Sequence, residues 1–139
     1  MTGSPSAKPL IEHADEMEAY SPPNHQGTRN VRLVDHEFCG GFEMIRGIVQ
    51  PGGEAEPHYH EAEHQVIYIV RGMAEVTLGD DAPRQCAPGT VIRIPPRMLH
   101  RVVCHGPEPL EALIVYSPPL PKHGAFHPAG EAHRSLAAP

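Results

Sequence analysis

Three histidines and a glutamine fall within eight residues, at His58, His60, His64 and Gln65. A strand is pleated, so residues two apart share a face, and His58 and His60 on a strand present both imidazoles the same way. Two neutral imidazoles side by side are part of a transition-metal site that needs further donors. Glu61-Ala62-Glu63 reads as a short turn, after which the next strand offers either His64 or Gln65. Neighbours on a strand face opposite sides, so only one of the two enters the same pocket. Imidazole is the better donor for most transition metals and speaks for His64. A distant histidine, His100, follows Pro95-Pro96-Arg97-Met98-Leu99.

The elements that must carry these residues are short and β-rich. Asn30 to Val34 reads as a strand. Phe42 to Gln50 puts Met44, Arg46 and Ile48 on one face and Glu43, Ile45, Gly47 and Val49 on the other. Pro51-Gly52-Gly53 is a turn by residue type, and the His58/His60 strand follows it. Gln65 to Val70 is an apolar, β-branched run suited to burial on both faces. Ala74 to Leu78 alternates as a half-buried strand. Val91 to Ile94, Met98 to Cys104 and Leu110 to Tyr116 complete the set, and the seventh of these carries His100, Val102 and Cys104 on one face. Leu10-Ile11 is a possible edge strand and Glu12 to Tyr20 a helical turn. The pattern gives about eight to ten short strands with frequent turns and no long helical period, which is an all-β sandwich or barrel. Residues 1–29 form an N-terminal arm, 30–117 the barrel, and 118–139 a Pro-rich tail.

The histidine stretch resembles the first cupin motif, a His-x-His pair, three or four residues, an acidic ligand, six residues and a Gly. Here four residues separate His60 from Gln65, and six separate Gln65 from Gly72, so the spacing favours Gln65. The second motif reads Gly, five residues, Pro-x-Gly, two residues, His, and is matched from Gly89 through Pro95 to His100. The resemblance covers residues 40 to 117. Gln65 stands where the family usually has Glu, and Arg97 where it usually has Gly. The resemblance implies a cupin double-stranded β-helix, a jelly-roll barrel of antiparallel strands, with a metal held by His58, His60, Gln65 and His100. It also implies a homodimer, with the apolar outward residues Val66, Tyr68 and Val70 compatible with pairing.

Three imidazoles and an amide carry no negative charge, so a bound metal keeps its full positive charge and acts as a strong Lewis acid. Four protein donors in an octahedral shell leave two positions open. Iron is the first expectation; manganese, nickel and zinc share the same ligand chemistry. The expected activity is oxidation of a small organic substrate of the non-haem dioxygenase type. The alternatives are a lyase, isomerase or polyketide cyclase using the metal as Lewis acid, or a ligand-binding or sensing module without chemistry. No general acid or base stands out. Arg46 could hold a substrate carboxylate, although an outward Arg on a half-exposed strand is the plainer reading. Met44, Ile67, Ile69, Met98 and Val102 would form an apolar wall. Cys104 reads as an inert buried thiol, and His123, His127 and His133 as solvated tail residues.

Composition sets the remaining bounds. The 139 residues fit one domain, and 17 prolines and 13 glycines suit many turns. A formal charge of −6, no basic block and no Trp argue against nucleic acid as a partner. Three cysteines without C-x-x-C pairing argue against a disulfide framework and for a reducing compartment. No signal peptide or membrane-length apolar run is visible, so the expectation is a cytoplasmic protein with no membrane partner.

Overall fold

The computed structural model describes residues 9–23, 25–121 and 127–128. Ten strands are present among the described residues: β1 (Ala19–Tyr20), β2 (His25–Val34), β3 (Glu43–Tyr59), β4 (His64–Arg71), β5 (Ala74–Leu78), β6 (Arg84–Cys86), β7 (Val91–Ile94), β8 (His100–Cys104), β9 (Leu110–Ser117) and β10 (His127–Pro128). Their main path runs β6-β5-β8-β3-β9-β4-β7, with β2 and β10 also on β3, and β1 on β2. Every pairing is antiparallel. The sheet is the curled, all-β architecture that the pattern and the resemblance led us to expect.

Three local expectations need correction. Leu10-Ile11 forms no strand, and both side chains are exposed. The helical turn expected over Glu12 to Tyr20 shrinks to a 3-10 turn at Ala14–Glu16, capped by the His13 imidazole accepting from the Asp15 N–H, with β1 directly after it. Pro51-Gly52-Gly53 does not end a strand: β3 runs through it. The turn residues instead make a bulge. Gln26 pairs with Glu54 and Thr28 with Val49, so Gln50, Pro51, Gly52 and Gly53 all lie opposite Gly27. The backbone there is crowded enough that a Cβ on Gly53 would lie 2.5 Å from the Gln26 carbonyl oxygen, and Gly27 (φ +67°) and Gly52 (φ +82°) take conformations that favour glycine. Three extra residues at a bulge bend β3, whose first half pairs with β9 and whose second half pairs with β8.

The inner face of that sheet is the core. On β4, Gln65, Ile67 and Ile69 are buried and Val66, Tyr68 and Val70 are 36–43% exposed. The run was expected to be buried on both faces; it is covered on one only, because among the described residues no second layer lies over the outer face. Ile67, Ile69, Val76, Ile92, Ile94 and Leu110 pack together with the buried thiols of Cys86 and Cys104. The Cys104 thiol donates to the Glu108 carbonyl at 3.2 Å, in keeping with an inert core cysteine.

Two motif positions are explained by backbone. Gly72 (φ +82°) packs its Cα against Pro109 and Leu110 so closely that a side chain would collide with them. Arg97 is a non-glycine residue with positive φ (+67°) among the described residues, which accounts for glycine at this place in the motif. Its N–H donates to the His60 carbonyl at 2.7 Å, tying the β7–β8 turn to the end of the histidine strand.

Candidate metal centre

The bend of β3 and its pairing with β8 build the site. His58 on β3 pairs directly with His100 on β8. His60 follows at the end of the same strand, and Gln65 enters from β4. All four side chains are at least 94% buried. Ring centroids lie 4.9 Å apart for His58 and His60, 4.4 Å for His58 and His100, and 5.4 Å for His60 and His100. One nitrogen from each ring falls within 4.8 Å of the others, close enough to share one ion.

The tautomers are set by backbone. His58 Nδ1 lies 2.7 Å from the Glu56 carbonyl, and His100 Nδ1 lies 3.0 Å from the Met98 carbonyl. A carbonyl only accepts, so Nδ1 carries the proton in both rings and Nε2 keeps its lone pair. Burial pushes the His58 imidazole below its ordinary pKa, against the opposing effect of the Glu56 carbonyl. His100 is lowered to about 3, first by burial and then by nearby His58. Both rings are therefore neutral, the form that binds metal.

The donors fit a divalent cation. His100 Nε2 and Gln65 Oε1 are buried without a hydrogen-bond partner. A buried acceptor without a partner is unfavourable by about 1–3 kcal/mol, and a cation at the centre of the cluster would satisfy both. His64 points the other way and is exposed. Of the two neighbours, Gln65 is the one that shares the pocket with the imidazoles.

The site opens into a cavity of about 430 Å³. Its walls include Ile45, Val49, Ile67, Ile69 and Val102, and Leu110, Ala112 and Ile114 from the same core. Met44 and Met98, expected in this wall, do not line it. Met44 is on the opposite face of β3, and Met98 packs into the core beside it. Arg46 also faces outward, where its Nε donates to Glu111 at 2.9 Å, so it takes no part in the site. His123 and His133 lie outside the described residues.

Two residues escaped the sequence reading. His25 on β2 reaches the cavity, its ring 6.1 Å from His58, and is lowered to about 4 by burial and then by His58. Tyr116 on β9 accepts a hydrogen bond at 3.1 Å from Gln65 Nε2 and stands edge-on to His60 at 5.1 Å. Burial raises the pKa of its hydroxyl, and the Glu43 carboxylate adds to that. Nothing local marks either residue. Only the pairings of His25 with Ala55 and of Tyr116 with Gln65 bring them in.

The cavity also reaches exposed residues, at a mouth lined by Tyr20, Pro22 and Pro23 from one segment and Leu120 and Pro121 from another. Arg32 lines it as well, and Glu43 behind it ties the two segments together. Arg32 Nε donates to Glu43 Oε1 at 3.0 Å and its guanidinium sits 4.6 Å from the Tyr20 ring centroid. Glu43, 4% exposed, accepts from the Leu120 N–H at 2.6 Å with its other oxygen.

Comparison with known proteins agrees with this geometry. The cupin-domain family model matches residues 46–116. A protein named polyketide synthase CurC, from Streptomyces cyaneus, is 34% identical over 129 residues, covering 90% of this chain and 80% of that one. The structure of the polyketide cyclase RemF from Streptomyces resistomycificus is 26% identical with a TM-score of 0.70, covering 79% of this chain and 80% of that chain. Ectoine synthase from P. lautus, 15% identical with a TM-score of 0.69 over 91% of this chain and 85% of that chain, shares the fold. No helix among the described residues is long and apolar enough to cross a membrane. With both histidine motifs on the expected strands and the family model spanning them, this chain belongs to the cupin family.

Proposed function

We propose that this chain is a metal-dependent cyclase that closes rings on a poly-β-ketone intermediate. The observation that carries the reading is the cavity itself: about 430 Å³, walled largely by aliphatic side chains, with its neutral nitrogen and amide donors gathered in one cluster. Such a cavity suits a carbon chain folded against apolar walls with one of its ketone oxygens placed at the donors. The polyketide names of a 34% identical relative and a 26% identical structure support the same substrate class.

His58, His60, His100 and Gln65 would hold the metal. Bound there, a divalent ion would supply Lewis acidity to a ketone or enolate oxygen, undiminished by any carboxylate among its donors. The chain's own residues do the rest. The aliphatic walls exclude water and fold the substrate so that an enol carbon lies against a carbonyl carbon of the same chain. Tyr116, kept protonated by burial, and His25 add polar contacts beside the imidazoles. Ring closure followed by loss of water changes no oxidation state, so this function needs no oxygen.

That property gives the test. The metal-loaded protein is incubated with a linear poly-β-ketone thioester under air and under nitrogen, and products are read by mass spectrometry. A cyclised product lacking the elements of water, formed equally in both atmospheres, supports the cyclase. A product that gains oxygen and forms only in air would sink it and favour the dioxygenase-type oxidation that the same donor set accommodates with iron. Ligand-induced stabilisation with no product under any metal would leave a binding module.

A further inference from the structure

A carboxylate and a carboxamide differ as metal donors in one respect that matters at position 65. The two oxygens of a carboxylate are equivalent, so either can face a cation. A carboxamide has one oxygen with lone pairs and one nitrogen whose two N–H groups would repel it. A glutamine ligand must therefore be held in one of two flips, and something must hold it.

Tyr116 is placed to do so. It is the direct cross-strand partner of Gln65 between β9 and β4, and the pairing sets the two side chains together on the inner face. Gln65 Nε2 donates to the Tyr116 hydroxyl oxygen at 3.1 Å in a buried contact, while Gln65 Oε1 is buried with no partner. The ring of Tyr116 stands edge-on to His60 at 5.1 Å, so the hydroxyl sits beside the donor cluster. We infer that Tyr116 is a positioning residue: by accepting from Nε2 it fixes the flip of the Gln65 amide and leaves Oε1 as the donor to the metal. The inference rests on the reading of Gln65 as a ligand.

The test reads the coordination shell directly. Cobalt(II) is titrated into the chelator-stripped protein, and its visible absorption spectrum and affinity are recorded for wild type, Gln65→Ala, Tyr116→Phe, Gln65→Glu and the double variant Gln65→Glu/Tyr116→Phe. Tyr116→Phe should weaken cobalt about 10-fold and move its spectrum towards that of Gln65→Ala, as loss of an outer-shell partner does. In the Gln65→Glu background the same substitution should do nothing, because a carboxylate needs no flip control. A purely structural role for Tyr116 would give the same loss in both backgrounds and would overturn the inference. So would a wild-type spectrum in Tyr116→Phe beside a shifted one in Gln65→Ala. An unshifted Gln65→Ala removes Gln65 from the shell, a distinct failure that takes the ligand reading and this inference together. If Tyr116→Phe does not fold, the zinc-loaded wild type decides: a Gln65 side-chain amide resonance with contacts to the Tyr116 ring supports the inference, and an amide that shows none refutes it.

Discussion

The metal site and the mouth of the cavity are built by different means. At the metal end every donor is on a strand or at its end, and the rings of His58 and His100 are each fixed by a carbonyl two residues earlier, on Glu56 and Met98. The ladder that sets the backbone therefore also sets the tautomer and the direction of the lone pair. At the mouth, short segments around Tyr20 and Leu120 are joined by side chains, through Arg32 and Glu43. A ladder shares its load over many hydrogen bonds; a clamp of two side chains does not. The metal site is thus held by the ladder itself, whereas Leu120 is held at the mouth by a side chain, Glu43.

The largest effect separating the two ends should come from the imidazoles. His58→Ala and His100→Ala should each take the metal from about one ion per chain to none, read by plasma mass spectrometry, and reduce turnover roughly a hundred-fold or more, since Lewis-acid assistance is worth several kcal/mol. His64→Ala, on the outward neighbour of Gln65, should keep both. Next in size is removal of the ion itself. A ligand at a hundred times its dissociation constant stabilises a fold by about 2.7 kcal/mol, so chelation should lower the melting temperature by roughly 10 °C, restored on adding metal back.

The mouth should respond differently. Glu43→Gln weakens the hold on both Arg32 and the Leu120 N–H. The Glu43 carboxylate is buried, but its partner Arg32 is 45% exposed, so screening reduces the loss to roughly 1–2 kcal/mol. Metal content should stay at wild type while KM rises several-fold. Arg46→Ala is the control on the outer face: its pair with Glu111 touches neither end, and both stability and KM should move little. A Glu43→Gln protein that lost its metal would break the distinction between the ends.

What was legible in the sequence follows the same division. Period-two alternation and motif spacing marked the strands and all of His58, His60, Gln65 and His100, because a pleat converts spacing into a shared face with no knowledge of the partner strand. The pleat said only that one of His64 and Gln65 enters the pocket; the spacing to Gly72 favoured Gln65, and the structure turns that side chain inward. Position in the fold was not. Pro51-Gly52-Gly53 has turn composition, and residue type alone does not tell a turn from a bulge whose far side is paired by β2. His25 and Tyr116 reach the pocket only through long-range pairing with β3 and β4. The mouth was the least legible part, since Tyr20, Arg32, Glu43 and Leu120 are far apart in the chain and share no pattern. Arg97 was visible as a departure from its motif, and the structure adds the reason glycine is usual there: a positive φ.

The smallest expected effect is a pH dependence confined to the metal end. His100 is lowered to about 3 and His25 to about 4, and His58 is lowered as well, in each case chiefly by burial. In the unfolded chain these imidazoles titrate near about 6.5. Below that pH the unfolded chain takes up protons that the folded chain refuses, so stability is fully present above the unfolded pKa and falls as pH drops towards the folded values. For the metal-free protein the loss between pH 7 and pH 6 should be about 0.7 kcal/mol for each of His100 and His25, with His58 adding in the same direction. Denaturant melts at the two pH values measure it. Metal-free His100→Ala should lose one histidine's share of that slope, and Glu43→Gln should keep all of it. An equal slope in His100→Ala and wild type would mean that the ring takes up protons in the folded chain as it does in the unfolded one, and the account of the imidazoles as a neutral, ready-made donor set would fail.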